Sequence, residues 1–325
     1  MSGPKIVFLN RVYPPQRGAS GRVLRDLARA MVKKGWDVTV VCTGKSSATE
    51  QDGQVKVERV GADVKTKNAV SYLWAWIKIL MRARSLEKPD LVITMTDPPM
   101  LVIAGDIVAR RKKCAHMHWL QDLYPDVLPS LGKTLPDWLM GILQGMSEKA
   151  LRRCDRVVVI GRCMAKQITQ KGVEKSKISM ITNWPDPELF ELNDTASKKG
   201  KTAKSLPVKE GAIKNFRPYA EQKKEKIERK FRVLYAGTLG QAHPIATILD
   251  AAERLQDEFD DIELVFMGEG SLYKRLAEER AKRSLENIKL LPWQPIEKFR
   301  DVMESGDVHL VTMQHEASGM IVPCK

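Results

Sequence analysis

The chain is 325 residues long, 43% hydrophobic and 29% charged. That balance excludes a disordered, purely solvated chain and leaves room for two domains of ordinary size. Its net charge of +14 suits nucleic acid, an anionic membrane surface or phosphate-bearing substrates as partners. The excess is concentrated, because between Lys198 and Lys230 twelve Lys/Arg stand against four Glu, and the remainder is only mildly basic. The cysteines, Cys42, Cys114, Cys154, Cys163 and Cys324, are odd in number, dispersed and without a C-x-x-C pair. They read as reduced thiols and not as a disulfide framework or a metal site. No apolar run reaches the ~18 residues of a membrane span, and MSGPKIVFLN runs straight into a strand with no secretory leader, so a cytoplasmic location is expected.

The first half alternates strand and helix patterns. Strands are predicted at Lys5–Leu9, Asp37–Cys42, Asp90–Thr94, Cys114–His118, Arg156–Ile160 and Ile178–Thr182, as short Val/Ile-rich runs suited to parallel strands buried on both faces. Between the first two lies a helix, Ala19–Lys34, ended by Gly35. This alternation predicts an α/β fold with a doubly wound parallel sheet. After the first strand, Tyr13–Gly21 (YPPQRGASG) offers Gly18 and Gly21 for close backbone approach to a diphosphate. The spacing is not the dinucleotide fingerprint, and no acidic residue ends the second strand, which argues against NAD. Val70–Met81 (VSYLWAWIKILM) predicts a helix apolar nearly all round, flanked by Lys78, Arg82, Arg84 and Lys88. It fits either a buried core helix or one lying in a membrane interface, and Leu135–Met146 extends the same character. His116–Asp126 (HMHWLQDLYPD) places His116, His118, Asp122 and Asp126 at the C-terminal end of the fourth strand, where open α/β sheets bind ligands. Asp122 or His118 there suits a sugar hydroxyl or a proton in transit. Arg162 and Lys166 follow the RVVVIG strand as candidate partners for diphosphate charge.

Asn183–Phe190 (NWPDPELF) is a turn-rich exit from a first domain, 1–190. Residues 191–230 read as a basic linker or insertion. A second domain, 231–325, opens with FRVLYAGTLGQAH, a buried strand and glycine-bearing turn, and then a helix over Pro244–Phe259. A strand running through glycine into a helix N-terminus cradles phosphate, because amides without intrahelical partners and the helix dipole both face the anion. Strands at Ile262–Met267, Asn287–Leu291 and Asp307–Thr312 follow, with Gly268-Glu269-Gly270 as a tight turn and Gln314–Gly319 (QHEASG) carrying Glu316. Four strands are fewer than such a domain usually has, so the chain reads as C-terminally truncated and its second domain as incomplete.

Taken in order, YPPQRGASG, WLQDLYPD, ITNWPDPELF, YAGTLGQAH, MGEG and HEASGMIVPCK resemble the retaining GT-B glycosyltransferases that use nucleotide-diphosphate sugars. The resemblance is to their polysaccharide-assembly branch, which includes colanic-acid, O-antigen and fucosamine transferases. It implies two Rossmann-like doubly wound domains facing one cleft, the first on the acceptor side and the second binding the nucleotide sugar, UDP-sugar being favoured. It further implies that Gly237 and Thr238 meet the diphosphate and that Gly18 lines its far side. Glu269 and Gly270 would lie near the nucleoside, Glu316 would hold ribose or sugar hydroxyls, and Asp122 would stand near the transferred sugar. Thr238 and His243, both expected on the donor-binding side, occupy the places where many relatives carry an Arg and a Lys, so Arg162 or Lys166 is expected to supply charge. Cys324 stands where relatives have a second acidic residue. No resident cofactor and no metal are implied, the sugar nucleotide being the donor substrate. The expected function is a hexosyl transfer with retention to a lipid-linked or glycan acceptor in surface-polysaccharide or lipopolysaccharide synthesis, by an enzyme peripheral on the inner face of the plasma membrane. The alternatives are a sugar-nucleotide epimerase of the same architecture, or a non-catalytic basic protein binding nucleic acid or an anionic surface. Nucleic acid is disfavoured because only Phe216 and Tyr219 interleave the basic segment.

Overall fold

The computed structural model describes residues 3–16, 18–62, 69–184, 230–294 and 298–322. Two compact units divide them, one running through Trp184 and including 317–322, the other holding the residues between. Apart from Lys230, the basic segment 191–230 lies outside the described residues.

The first unit runs β1 (Lys5–Leu9), α1 (Ala19–Lys33), β2 (Asp37–Gly44), β3 (Ala48–Asp52), β4 (Val55–Gly61), α2 (Ala69–Ser85), β5 (Leu91–Thr94), α3 (Leu101–Lys112), β6 (Ala115–Leu120), α4 (Asp137–Arg153), β7 (Arg156–Val159), α5 (Arg162–Gln170) and β8 (Ile178–Met180). Its eight strands are ordered β3-β4-β2-β1-β5-β6-β7-β8, all pairs parallel except β3 with β4. The central strand β1 shows why KIVFL is apolar throughout. Ile6 and Phe8 enter a core that includes Val23, Leu24 and Ala28 of α1. Val7 and Leu9 enter another, with Ala75, Ile79 and Ala83 of α2 and with Leu101, Ala104 and Val108 of α3. Every second residue of a strand faces the same side, so a strand covered on both faces must be apolar at each position.

All six predicted strands of this half are present. The β3–β4 hairpin is an addition, joined through Gly53 (φ 61) and Gln54. Its edge strand, ATEQD, is too polar to read as a strand, as suits a sheet edge that must not recruit another chain. The Val70–Met81 helix packs one face on the core and leaves the other in the open. It buries Ala75, Ile79 and Ala83 and leaves Val70 75% and Trp74 52% exposed.

The second unit runs β9 (Phe231–Thr238), α6 (Ile245–Glu258), β10 (Ile262–Glu269), α7 (Tyr273–Lys282), β11 (Ile288–Leu291), α8 (Phe299–Glu304) and β12 (Val308–His309). Its sheet is parallel, ordered β11-β10-β9-β12. Tyr235, Phe266, Ile248, Leu249 and Leu276 fill one face, and Leu234, Val265, Met267 and Val302 the other. The last strand is shorter than Asp307–Thr312 because only Val308 and His309 pair with β9. Residues 317–322, read from sequence as part of the second domain, pack on the first unit. The Leu123 amide donates to the Met320 carbonyl at 2.7 Å, and Met320 packs against that unit's core.

Candidate functional site

In a parallel α/β sheet the loops that can be shaped for ligands leave the C-terminal ends of the strands. Most of the residues singled out from sequence lie at those strand ends, on the loops after them or in the helix that follows, and each unit's set has its own character.

In the first unit the loops after β1, β5 and β6 carry buried or half-buried charge. Arg11 grips Asp97 with two hydrogen bonds, Nε to Oδ1 at 2.6 Å and Nη2 to Oδ2 at 2.7 Å. The Thr94 hydroxyl lies between two histidines, 3.0 Å from His116 Nε2 and 2.8 Å from His118 Nδ1. Burial pushes His116 down to about 4 and His118 down to about 3, the neighbouring His116 adding to the second shift. Both rings are therefore neutral near pH 7. His116 also meets Cys154 Sγ at 3.5 Å. A Cβ on Gly105 of α3 would sit 2.2 Å from its Nε2. His116 is thus a core residue whose ring a helix glycine makes room for, and the functional reading does not extend to it. Asp126 is taken up by Lys171 at 2.7 Å and Gln144 at 3.0 Å.

Asp122 behaves differently. With His118, Thr96, Tyr124 and Ser147 it lines a pocket of about 10 Å³, room for one water. Burial, and secondly the Asp97 carboxylate, raise its pKa to about 6. A carboxyl that holds its proton so near neutrality can accept or return one in a reaction. On the same edge Gly18 precedes α1, where a Cβ would meet Val12 Cγ1 at 2.9 Å, while at Gly21 it would meet the Val12 carbonyl oxygen at 2.8 Å. Gly21 therefore serves helix packing, and Gly18 is the exposed one. Arg162 and Lys166 lie in α5, Arg162 as its first residue. Both are exposed and have no ion-pair partner among the described residues. The Arg11–Asp97 pair escaped the sequence reading because its members are 86 residues apart. The only available signal was that each follows a predicted strand.

In the second unit backbone does the work. Gly237 (φ 154) and Gly268 (φ 141) are register partners at the ends of β9 and β10. A Cβ on Gly268 would lie 2.1 Å from the Gly237 carbonyl oxygen, and one on Gly270 (φ 144) 2.3 Å from that of Leu239. Leu239 N donates to the Glu269 carbonyl at 2.7 Å, and Leu272 N to Leu239 O at 3.1 Å, stitching the two loops together. Thr238 and the Glu269 side chain are exposed on this edge. Helix α6 begins after Pro244 without a side-chain cap; Ile245 N bonds the His243 carbonyl at 3.0 Å, and the next amides of the first turn have no intrahelical acceptor.

His243 is not on that surface. It is 9% exposed, with Nε2 3.1 Å from the Tyr235 hydroxyl and Nδ1 2.9 Å from Thr312 Oγ1. Tyr235 also donates to the Thr238 carbonyl at 2.9 Å. A carbonyl only accepts, so the Tyr235 oxygen is left to receive the His243 Nε2 proton, and Nδ1 accepts from Thr312. The ring clamps the loop between β9 and α6. Glu316 stands in a 3-10 turn, His315–Ala317, its carboxylate exposed and without a partner among the described residues. Among the described residues no three His, Cys, Asp or Glu side chains gather as a metal site, and no helix is long and apolar enough to cross a membrane.

Comparison with known proteins follows the same division. The model of the Glycosyl transferase 4-like domain matches residues 18–184, and that of Glycosyl transferases group 1 matches residues 217–322. Escherichia coli (strain K12) WcaI, named for glycosyl transfer in colanic acid biosynthesis, is 23% identical over 241 residues, 73% of this chain and 54% of its own length. The chain thus spans about half the length of the curated relatives it matches. Among solved structures, Anabaena Alr3699/HepE in complex with UDP superposes with a TM-score of 0.57 at 14% identity, covering 94% of this chain and 73% of HepE. WaaG, a glycosyltransferase involved in lipopolysaccharide biosynthesis, gives 0.58 at 17% identity, covering 97% and 76%. These likenesses show the GT-B fold, two Rossmann-like domains of which the second has the smaller sheet. Since the first of the two family models alone spans just over half of the 325 residues, this chain belongs to the glycosyltransferases of the Glycosyl transferase 4-like family.

Proposed function

We propose that the protein transfers a hexosyl group, with retention of configuration, from a UDP-sugar to a lipid-linked or glycan acceptor in cell-surface polysaccharide synthesis, at the inner face of the plasma membrane. The observation that carries this reading is the backbone edge of the second sheet. Gly268 and Gly270 bring one loop closer to the backbone of Gly237 and Leu239 than any side chain would permit, beside a helix that starts without a side-chain cap. Such an edge suits a diphosphate, whose developing charge is stabilised by amides that need no reorganisation. The family membership, the colanic-acid name of WcaI and the UDP bound by HepE support it further.

In this proposal Gly237 and Thr238 meet the donor diphosphate, Glu269 and Gly270 the nucleoside, and Glu316 the hydroxyls of ribose or sugar. Gly18, Arg162 and Lys166 belong to the first domain's share of the diphosphate charge. Asp122, able to carry a proton near neutral pH, holds a hydroxyl of the sugar being moved. Transfer with retention proceeds by attack on the face the diphosphate leaves, the departing phosphate taking the acceptor proton, and no enzymic nucleophile is invoked. His243, expected on the donor-binding side, acts in this reading only by positioning the loop that bears Gly237 and Thr238.

Isothermal titration against UDP and GDP without added metal tests the reading. Saturable UDP binding is expected, abolished in Gly237→Trp and weakened at least about tenfold in Glu316→Ala. Absent binding, or binding indifferent to Gly237→Trp, overturns the donor site. The anomeric configuration of the product, read by NMR, tests retention.

A further inference from the structure

Three helices of the first unit share one side of its sheet. α3 packs against α2 on one flank and α4 on the other. Each leads from the C-terminal end of one parallel strand to the start of the next, so all three run the same way. Exposed apolar residues follow one stripe of α2, namely Val70, Leu73, Trp74 and Met81, at the i, i+3, i+4, i+11 spacing of a single helix face. A matching stripe on α4 is Trp138, Ile142 and Met146, at i, i+4, i+8. Between them α3 exposes Ile107. Gly141 and Gly145 lie beside the α4 stripe with open space where a Cβ would stand, so packing does not require them.

Charge is distributed along the same axis. The aromatic residues lie toward the beginnings of α2 and α4, at the sheet edge that carries Asp122. Cations gather at the other ends of the three helices. Arg82 is occupied by Glu58 at 2.9 Å, and Arg153 by Asp106 at 3.2 Å. Arg84, Lys88, Arg111, Lys113 and Lys149 have no ion-pair partner among the described residues, and all five are exposed. Lys78 lies 4.9 Å over the Trp74 ring, an arrangement that keeps its charge at the rim of the apolar stripe.

We propose that this face docks on an anionic lipid bilayer, with Trp74 and Trp138 at head-group depth and the cationic helix ends on the lipid phosphates. This rests on and deepens the proposed membrane location, because it fixes orientation: the apolar ends bring the Asp122 edge of the sheet to the lipid surface, where a lipid-linked acceptor presents its sugar. Aromatic rings with one polar handle suit that interface, and each cation near an anionic surface adds to the attraction.

Sedimentation with vesicles tests it on the full chain. Binding to mixed phosphatidylglycerol and phosphatidylcholine is expected, with much weaker binding to phosphatidylcholine alone. Trp74→Ser with Trp138→Ser should weaken it by about tenfold or more, and Arg111→Glu with Lys113→Glu should remove the preference for phosphatidylglycerol. Equal binding to both vesicles, or full binding by the double Trp variant, overturns the proposal. So does a dimer that the double Trp variant dissolves while the wild type ignores vesicles, for then a second copy covers the face. UDP titration of the same samples keeps the readings apart: lost vesicle binding with UDP binding intact sinks the surface alone, and the reverse sinks the donor site alone.

Discussion

The two sheets of this protein end in opposite ways. The first ends in side chains: a bidentate Arg11–Asp97 pair, a threonine between two neutral histidines, and a carboxyl at Asp122 that burial keeps from ionising easily. The second ends in backbone, two glycine loops crossing at distances no Cβ tolerates, braced from behind by Tyr235, His243 and Thr312. The difference teaches how one architecture, used twice in a chain, can be finished to suit two chemistries. A diphosphate is best met by amides fixed in place, which cannot titrate. A hydroxyl whose proton must move is better met by a group whose charge depends on its surroundings.

The hardest way to break the comparison is to put a side chain into the backbone edge. Gly268→Ala brings a methyl to 2.1 Å from the Gly237 carbonyl, at a φ of 141 where alanine is strained on its own account. The obstacle is backbone, with no flexible side chain to swing aside. A loss of about 2–4 kcal/mol of stability is expected, with UDP binding lost along with it. Denaturant unfolding together with nucleotide titration measures both. A fully stable Gly268→Ala protein that binds UDP normally would show that the close approach is dispensable.

On the first sheet the corresponding change concerns protons. Asp122 has its pKa raised to about 6 from 3.8. An acid raised in the fold contributes stability while protonated and loses it as pH climbs through the folded value. Asp122→Asn is uncharged throughout, so its stability relative to wild type should improve by roughly 1–3 kcal/mol between about pH 4 and about pH 7.5. The difference in urea midpoints at the two pH values is the measurement. A flat difference would mean that the carboxylate is well solvated, and the contrast between the two edges would shrink.

Sequence carried most of the fold because parallel strands buried on both faces announce themselves as short runs such as KIVFL, RVVVI and IELVFM. It missed the β3–β4 hairpin, whose outer strand ATEQD is polar for the same reason that it is an edge. It also put 317–322 with the second domain by adjacency, whereas the Met320 carbonyl is bonded to Leu123. For the site, sequence found the loops and could not rank the residues on them. His116 and His118 are two apart, yet it is the His116 ring that lies closest to Gly105, and this closeness depends on a helix packed from elsewhere in the chain. Sequence places His243 on the donor-binding side, where relatives carry a cation. The hydroxyls that occupy its ring come from Tyr235, eight residues before it, and Thr312, 69 residues after it. Tertiary partners of that separation leave no mark on local spacing.

The smallest expected effect sharpens the comparison at that brace, where the second sheet's edge depends on side chains. Tyr235→Phe deletes a single hydroxyl and leaves the ring packed on Phe266, centroid to centroid 5.6 Å. The Thr238 carbonyl loses a donor, and His243 Nε2 loses its acceptor. A cost of about 1–2 kcal/mol follows from leaving such groups without that bond. Thr312→Val removes the bond at the other ring nitrogen. If the three groups act as one chain, the double variant should lose less than the sum of the two single losses, since the first deletion already frees the ring. Strict additivity would mean that His243 is held by packing alone, and that the backbone edge in front of it needs no polar brace.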